Sequence, residues 1–154
     1  MDGLGIAANV IAVVELSVKV ASICLQYSKG VKNASDDIVR VTQELNNLKV
    51  TAEGASRLLE GPYGAKLETS HQLLGAVKAA ESRLERLEAD LQPRSTRKAM
   101  SRLGLRALKW PFQSKDVEKI VQEIARCTHT ISTGLQVDQT YVAEIPPTLP
   151  SQAN

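Results

Sequence analysis

Thiols, imidazoles and lysines beside glycine turns are the raw material of catalytic and metal centres, and this sequence uses them sparingly. Cys24 and Cys127 sit in separate apolar stretches, with no Cys-x-x-Cys and no histidine-rich spacing beside them. A zinc site needs several N or S ligands at close spacing. The two thiols therefore read as reduced core residues of a cytosolic protein, not as ligands or a disulfide. His71 and His129 are far apart in the chain. Glu68 stands three residues before His71 and Cys127 two before His129, but neither pair grows into a cluster, and both histidines read as surface or helix-flank residues. "GPYGAKLET" (61–69) superficially evokes a phosphate loop, which needs G-x-x-x-x-G-K-[ST] between a strand and a helix. Here Lys66 stands between Ala65 and Leu67, and no strand is expected. No nucleophile elbow and no His-Glu-x-x-His motif occurs. The residues predict no enzyme, no cofactor and no metal.

What positions side chains in a chain of this kind is helix packing. The 154 residues suit one domain, and 43% apolar residues suffice for one sizeable core. Aromatics make up only 3%, so Ala and aliphatic residues dominate, as in packed helices rather than β-sandwiches. A formal net charge of +2 gives no global field for nucleic acid.

The opening stretch "LGIAANVIAVV" (4–14) carries one amide and no charge. A secretory signal wants positive charge ahead of its apolar core, yet Asp2 stands there and the first lysine is Lys19. Asp2 also occupies the position that myristoylation reserves for glycine. The apolar run meets Glu15 and Lys19 before reaching the roughly 20 residues of a stable transmembrane helix. The chain is therefore expected to be soluble. Gly3 to Lys29 lacks proline, ends at Gly30 and reads as one helix. Glu15, Lys19, Ser22, Gln26 and Lys29 form a narrow polar stripe, continued toward the start only by Ala8 and Ala12, so the first half is apolar nearly all round. Such helices are surrounded by protein or by lipid. One reading is a central core helix. The other is a helix that leaves the bundle for the bilayer: about 26 helical residues span ~39 Å, and in an oligomer the stripe would line a wet interior.

Three further segments carry steps of three and four. Ser35-Asp36-Asp37 opens the second, followed by Ile38, Val41, Leu45, Leu48, Ala52, Ala55 and Leu59 up to "GPYG". Gly54 inside it costs about 1 kcal/mol against Ala and is expected to mark close helix approach. The third runs from near Lys66 to before Pro93 through Leu73, Val77, Ala80, Leu84, Leu87 and Leu91, with a charged outer face over Glu81 to Asp90. Ser114 starts the last, which continues through Val117, Ile120, Ile124, Cys127 and Ile131 to Leu135. Between these, "RKAMSRLGLRALKW" (97–110) reads as a short basic helix. Met100, Leu103, Ala107 and Trp110 line one side, while Lys98, Arg102, Arg106 and Lys109 gather on the other. The basic side fits either a solvated face docked on the acidic third segment or attraction to anionic lipid, at about 1 kcal/mol per cation. In the lipid reading Trp110 and Phe112 lie at headgroup depth. The patch is too small, and too poor in rings, for nucleic acid. The fold expected is all-α: an antiparallel four-helix bundle over 1–140 with an additional short basic helix, and a Pro-rich linker or tail over 141–154.

Two stretches carry a family resemblance. "RKAMSRLGLRALKWPFQSKDVEKIVQEIARCTHTISTGLQVDQT" (97–140) and "MDGLGIAANVIAVVELSVKVASICLQYSKGVKNASDDIVRV" (1–41) resemble the end and the start of the fungal HeLo-like N-terminal domain of STAND-type, NOD-like receptors. That class is related in fold to the four-helix bundle of the necroptosis pseudokinase. The resemblance implies a cell-death effector in fungal innate immunity or heterokaryon incompatibility, cytoplasmic at rest and relocating to the plasma membrane. Its implied partners are anionic membrane lipids, further copies of itself on activation, and a C-terminal nucleotide-binding oligomerisation domain or an amyloid-signalling partner. Membrane insertion would fall on Leu4, Ile6, Val10, Ile11, Val13 and Val14, with Gly3 and Gly5 weakening the first turn. Glu15, Lys19, Ser22 and Gln26 would line a pore, and Lys98, Arg102, Arg106 and Lys109 would hold anionic lipid. The competing reading is a homotypic protein-interaction module without membrane activity.

Overall fold

A computed structural model describes residues 2–28, 35–62, 64–67, 70–92 and 110–143, with side chains from Ile6 to Gln136 within those spans. Among the described residues the chain is all-α, with five helices and no strand. They are α1 (Asp2–Ser28), α2 (Ser35–Glu60), α3 (Gly64–Leu67), α4 (His71–Leu91) and α5 (Ser114–Ala143).

The helix starts follow local chemistry. Asp36 and Asp37 sit in the first turn of α2, where carboxylates meet the positive end of the helix dipole. Ser70 caps α4, its hydroxyl accepting from the Leu73 N–H at 3.1 Å. At α5 the Asp116 carboxylate reaches back to accept from the Gln113 N–H at 3.0 Å, half of a capping box. The third segment does not begin near Lys66 as the spacing suggests. Lys66 belongs to the one-turn α3, and a separate helix starts after Ser70 because that hydroxyl satisfies a first-turn amide. Gly64 permits the tight corner: a Cβ there would collide with the Leu59 carbonyl.

Each long helix contributes a seam to one core. Ile38, Val41, Leu45, Leu48, Ala52 and Ala55 come from α2, and Leu73, Val77, Ala80, Leu84, Leu87 and Leu91 from α4. Val117, Ile120, Ile124, Ile131 and Leu135 come from α5, while Cys127 is half-buried. The α1 seam is Ile6, Val10, Val13, Ser17, Val20, Cys24 and Tyr27, all buried and spaced by alternating fours and threes.

Contacts between the ends fix the topology. The Tyr27 hydroxyl donates to the Leu91 carbonyl, joining the C-terminal ends of α1 and α4. Arg40 pairs with Glu118 at 2.5 Å, joining the N-terminal ends of α2 and α5. Arg83, past the middle of α4, pairs with Glu123 in the first half of α5, and a Cβ on Gly134 would lie 3.5 Å from Leu73 Cα near the start of α4, so these two helices run antiparallel. Successive long helices thus alternate in direction, as expected. α1 packs on α2 and α4, and α5 packs on the same two, so α1 and α5 occupy opposite corners. The chain crosses from α2 to α4 through α3, which rests on α2 and α5. The short basic helix expected over 97–110 lies outside the described residues except for Trp110, which is not helical.

Candidate functional site

The feature that sets this bundle apart is the surface of α1. Its stretch Ile6–Ser28, 23 residues, is long and apolar enough to cross a membrane, yet only 28% of its most apolar window is buried. A central core helix is covered all round; α1 is a corner helix with one buried face. Rotating one residue from the buried seam gives a second row, Ala7, Ile11, Val14, Val18, Ala21 and Leu25, again in alternating fours and threes. Ile11 (51%), Val18 (50%) and Leu25 (54%), spaced by sevens, are the members of this row that face solvent. Beyond them lies the polar stripe. Glu15, Lys19, Ser22 and Gln26 are all exposed on one face, and Lys19 reaches Glu88 of α4 at 2.6 Å.

The six residues expected to insert do not share a face in the closed bundle. Ile6, Val10 and Val13 are fully buried, Val14 is half-buried against the core, and Ile11 points outward. The side chain of Leu4 lies outside the described residues, as do Lys98, Arg102, Arg106 and Lys109. Sequence reasoning passed over Val18 and Leu25. Their spacing of seven from Ile11 was the available signal, masked because nearly every position of α1 is apolar or small.

Between α1 and α2 runs an open groove of about 310 Å³. Val18, Ala21 and Leu25 form its α1 wall, Asn46 and Lys49 its α2 wall, and Leu45 lies at its floor. Ser17 also borders it; that side chain is 1% exposed and its hydroxyl has no hydrogen-bond partner among the described residues. An unpaired buried hydroxyl costs roughly 1–3 kcal/mol, so the α1 seam carries a built-in weakness at its middle.

The far end of α1 is held by an aromatic cluster. Tyr27 meets Trp110 edge-on at 5.6 Å between ring centroids, and Trp110 meets Phe112 edge-on at 5.2 Å. Trp110 and Phe112 are half-buried against the core here, not displayed for a headgroup layer as the lipid reading of the basic segment expects. T-shaped ring contacts of this kind add about 0.5–1.5 kcal/mol each beyond area burial.

No group of three or more His, Cys, Asp or Glu that could hold a metal occurs among the described residues. Both cysteines are free; Cys24 is buried, and burial raises the Cys127 thiol above its ordinary range, partly offset by Arg83. His71 is exposed at the start of α4, and His129 is exposed with Thr133 Oγ1 at 3.5 Å. Comparison with protein-family models, with curated proteins and with solved structures found no match to this chain.

Proposed function

We propose that this chain is a non-enzymatic membrane-targeting effector module, of the kind found in HeLo-like cell-death domains of fungal NOD-like receptors. In the resting cytoplasmic protein α1 is docked on α2 and α4; on activation it leaves the bundle and enters the plasma membrane. The observation that carries this reading is the composition of α1, a helix of bilayer-crossing length whose apolar residues continue past the buried seam onto the exposed Ile11, Val18 and Leu25. Its attachment is also discontinuous, with Ser17 unpaired at the middle and the Tyr27–Trp110 contact at the end. Lys98, Arg102, Arg106 and Lys109 serve in first capture of anionic lipid. Self-association on the membrane places Glu15, Lys19, Ser22 and Gln26 toward water, since each charge at mid-bilayer costs about 2.5–3.5 kcal/mol. Activation comes from a C-terminal nucleotide-binding oligomerisation domain or an amyloid-signalling partner.

Dye release from vesicles tests this. The protein empties anionic vesicles and leaves neutral ones intact, and Cys24, buried in the closed bundle, opens to maleimide only while α1 is out of the bundle and still in water. Ile11→Glu alters an exposed position, keeps the fold and cuts release by roughly a hundredfold, the equivalent of one mid-bilayer charge. Intact anionic vesicles, or undiminished release by Ile11→Glu, overturn the reading in favour of a recruitment module.

A further inference from the structure

We propose that the outer row of α1 is a homotypic docking face in the closed bundle. The α1 of a second copy packs on Ile11, Val18 and Leu25 in parallel and in register, and Lys49 of each copy meets Glu15 of the other. This deepens the self-association invoked above by naming its face, and rests on that reading only for its place in activation; the pairing itself occurs in water.

The row has the seven-residue repeat of helices that pair along their length. Any apolar row on one helix face repeats in this way; what selects a second copy of the chain is the charge on either side of the row. In a parallel two-fold pair Ile11 faces Ile11, Val18 faces Val18 and Leu25 faces Leu25, each half-exposed in the single copy. Ala21 within the row and Ser22 beside it are small, which lets two helix backbones approach.

Charge selects the direction of pairing. Helical spacing of 100° per residue puts Glu15 about 60° to one side of Val18. The opposite side faces α2, where Lys49 borders the same groove as Val18. Glu15 and Lys49 have no ion pair among the described residues. A two-fold axis parallel to α1 carries the α2 of one copy to the Glu15 side of the other, so both Lys49–Glu15 pairs form. An antiparallel pair instead leaves the two lysines on one side at the level of Val18, where they repel. A single pair of helix faces falls below the roughly 1,200 Å² of a standard stable interface. The pairing is therefore weak at low concentration and becomes decisive when copies are tethered together.

Sedimentation velocity of the whole chain in lipid-free buffer tests the proposal. A monomer–dimer equilibrium appears as concentration rises, and Val18→Lys, at an exposed position, weakens it about tenfold while the helical content and melting curve stay unchanged. Glu15→Lys and Lys49→Glu each weaken it roughly two- to fivefold, and combining them restores association to near the wild-type level. Direction is read by disulfide formation in a Cys127→Ser background: an Ile11→Cys variant links to itself, and so does Leu25→Cys. The proposal is overturned by a strictly monomeric protein, by Val18→Lys without effect, by a charge swap that fails to rescue, or by cross-linking only in an Ile11→Cys and Leu25→Cys mixture. Because no lipid is present, failure here leaves vesicle release standing, and intact vesicles leave this pairing standing.

Discussion

α1 and α4 make the same kind of contribution to the core and opposite contributions to the surface. Both present a buried seam in steps of three and four. Outside its seam α4 carries Glu85, Arg86 and Asp90 exposed to water, with Arg83 and Glu88 paired to charges on the neighbouring helices. Outside its seam α1 carries Ile11, Val18 and Leu25. The buried sides differ too: the α4 seam is hydrocarbon throughout, whereas the α1 seam is interrupted by Ser17 with its hydroxyl unpaired. One helix is committed to its place. The other is packed on its neighbours just as fully, but carries a second apolar surface beside its seam.

That contrast is broken first in the core. Leu84→Ala in α4 removes a fully buried side chain and is expected to cost about 2–5 kcal/mol in urea denaturation. Val18→Ala, on the outer row of α1, is expected to stay within about 0.5 kcal/mol. If both cost the same, the outer row of α1 is not free and the comparison fails. A smaller effect sharpens it. Ser17→Ala removes the unpaired hydroxyl and is expected to stabilise the fold by about 1 kcal/mol, while slowing maleimide labelling of Cys24. Loss of stability in that variant means that the hydroxyl finds a partner and the weak point lies elsewhere.

The smallest effect belongs to the α2–α5 side, which takes no part in the proposed release of α1. Arg40 holds the Glu118 carboxyl below its ordinary range, chiefly through the hydrogen bond between them, with Gln122 assisting. A lowered carboxyl favours the folded state at pH above the ordinary carboxylate range, and the benefit disappears as pH falls through the lowered titration. Both groups are on the surface, so Glu118→Gln is expected to flatten the acid limb of a melting-temperature profile only slightly, with labelling of Cys24 unchanged. A large change in that labelling contradicts the separation of the two sides.

How much of this was legible beforehand follows from contrast along the helices. In α2 and α4 apolar seams alternate with charged faces, and every seam position read from the spacing is buried except Leu59, which is half-buried. In α1 that contrast is missing, so spacing gave the polar stripe but neither the buried seam nor the outer row. Glycines misled for a related reason, since their role depends on a neighbouring helix and not on their own surroundings. Gly54 was expected to mark a close approach, yet a Cβ there meets nothing nearer than the Arg57 guanidinium at 3.9 Å. The close approach is at Gly134, against the backbone of Leu73. The start of α4 was misplaced because steps of three and four run through the turn, while Ser70, a standard N-cap residue, was the signal to weigh.

Under the proposed release, the corner position of α1 has a consequence for what is left behind. Because α5 touches both α2 and α4, the helices that remain are still joined pairwise through it, and the last strut of the scaffold is never withdrawn. The vacated trough between α2 and α4 would present Leu45, Leu48, Leu84 and Leu87 to the surroundings. The three-helix remainder would thus be adhesive as well as intact, and one departing helix would equip the molecule with two new greasy surfaces.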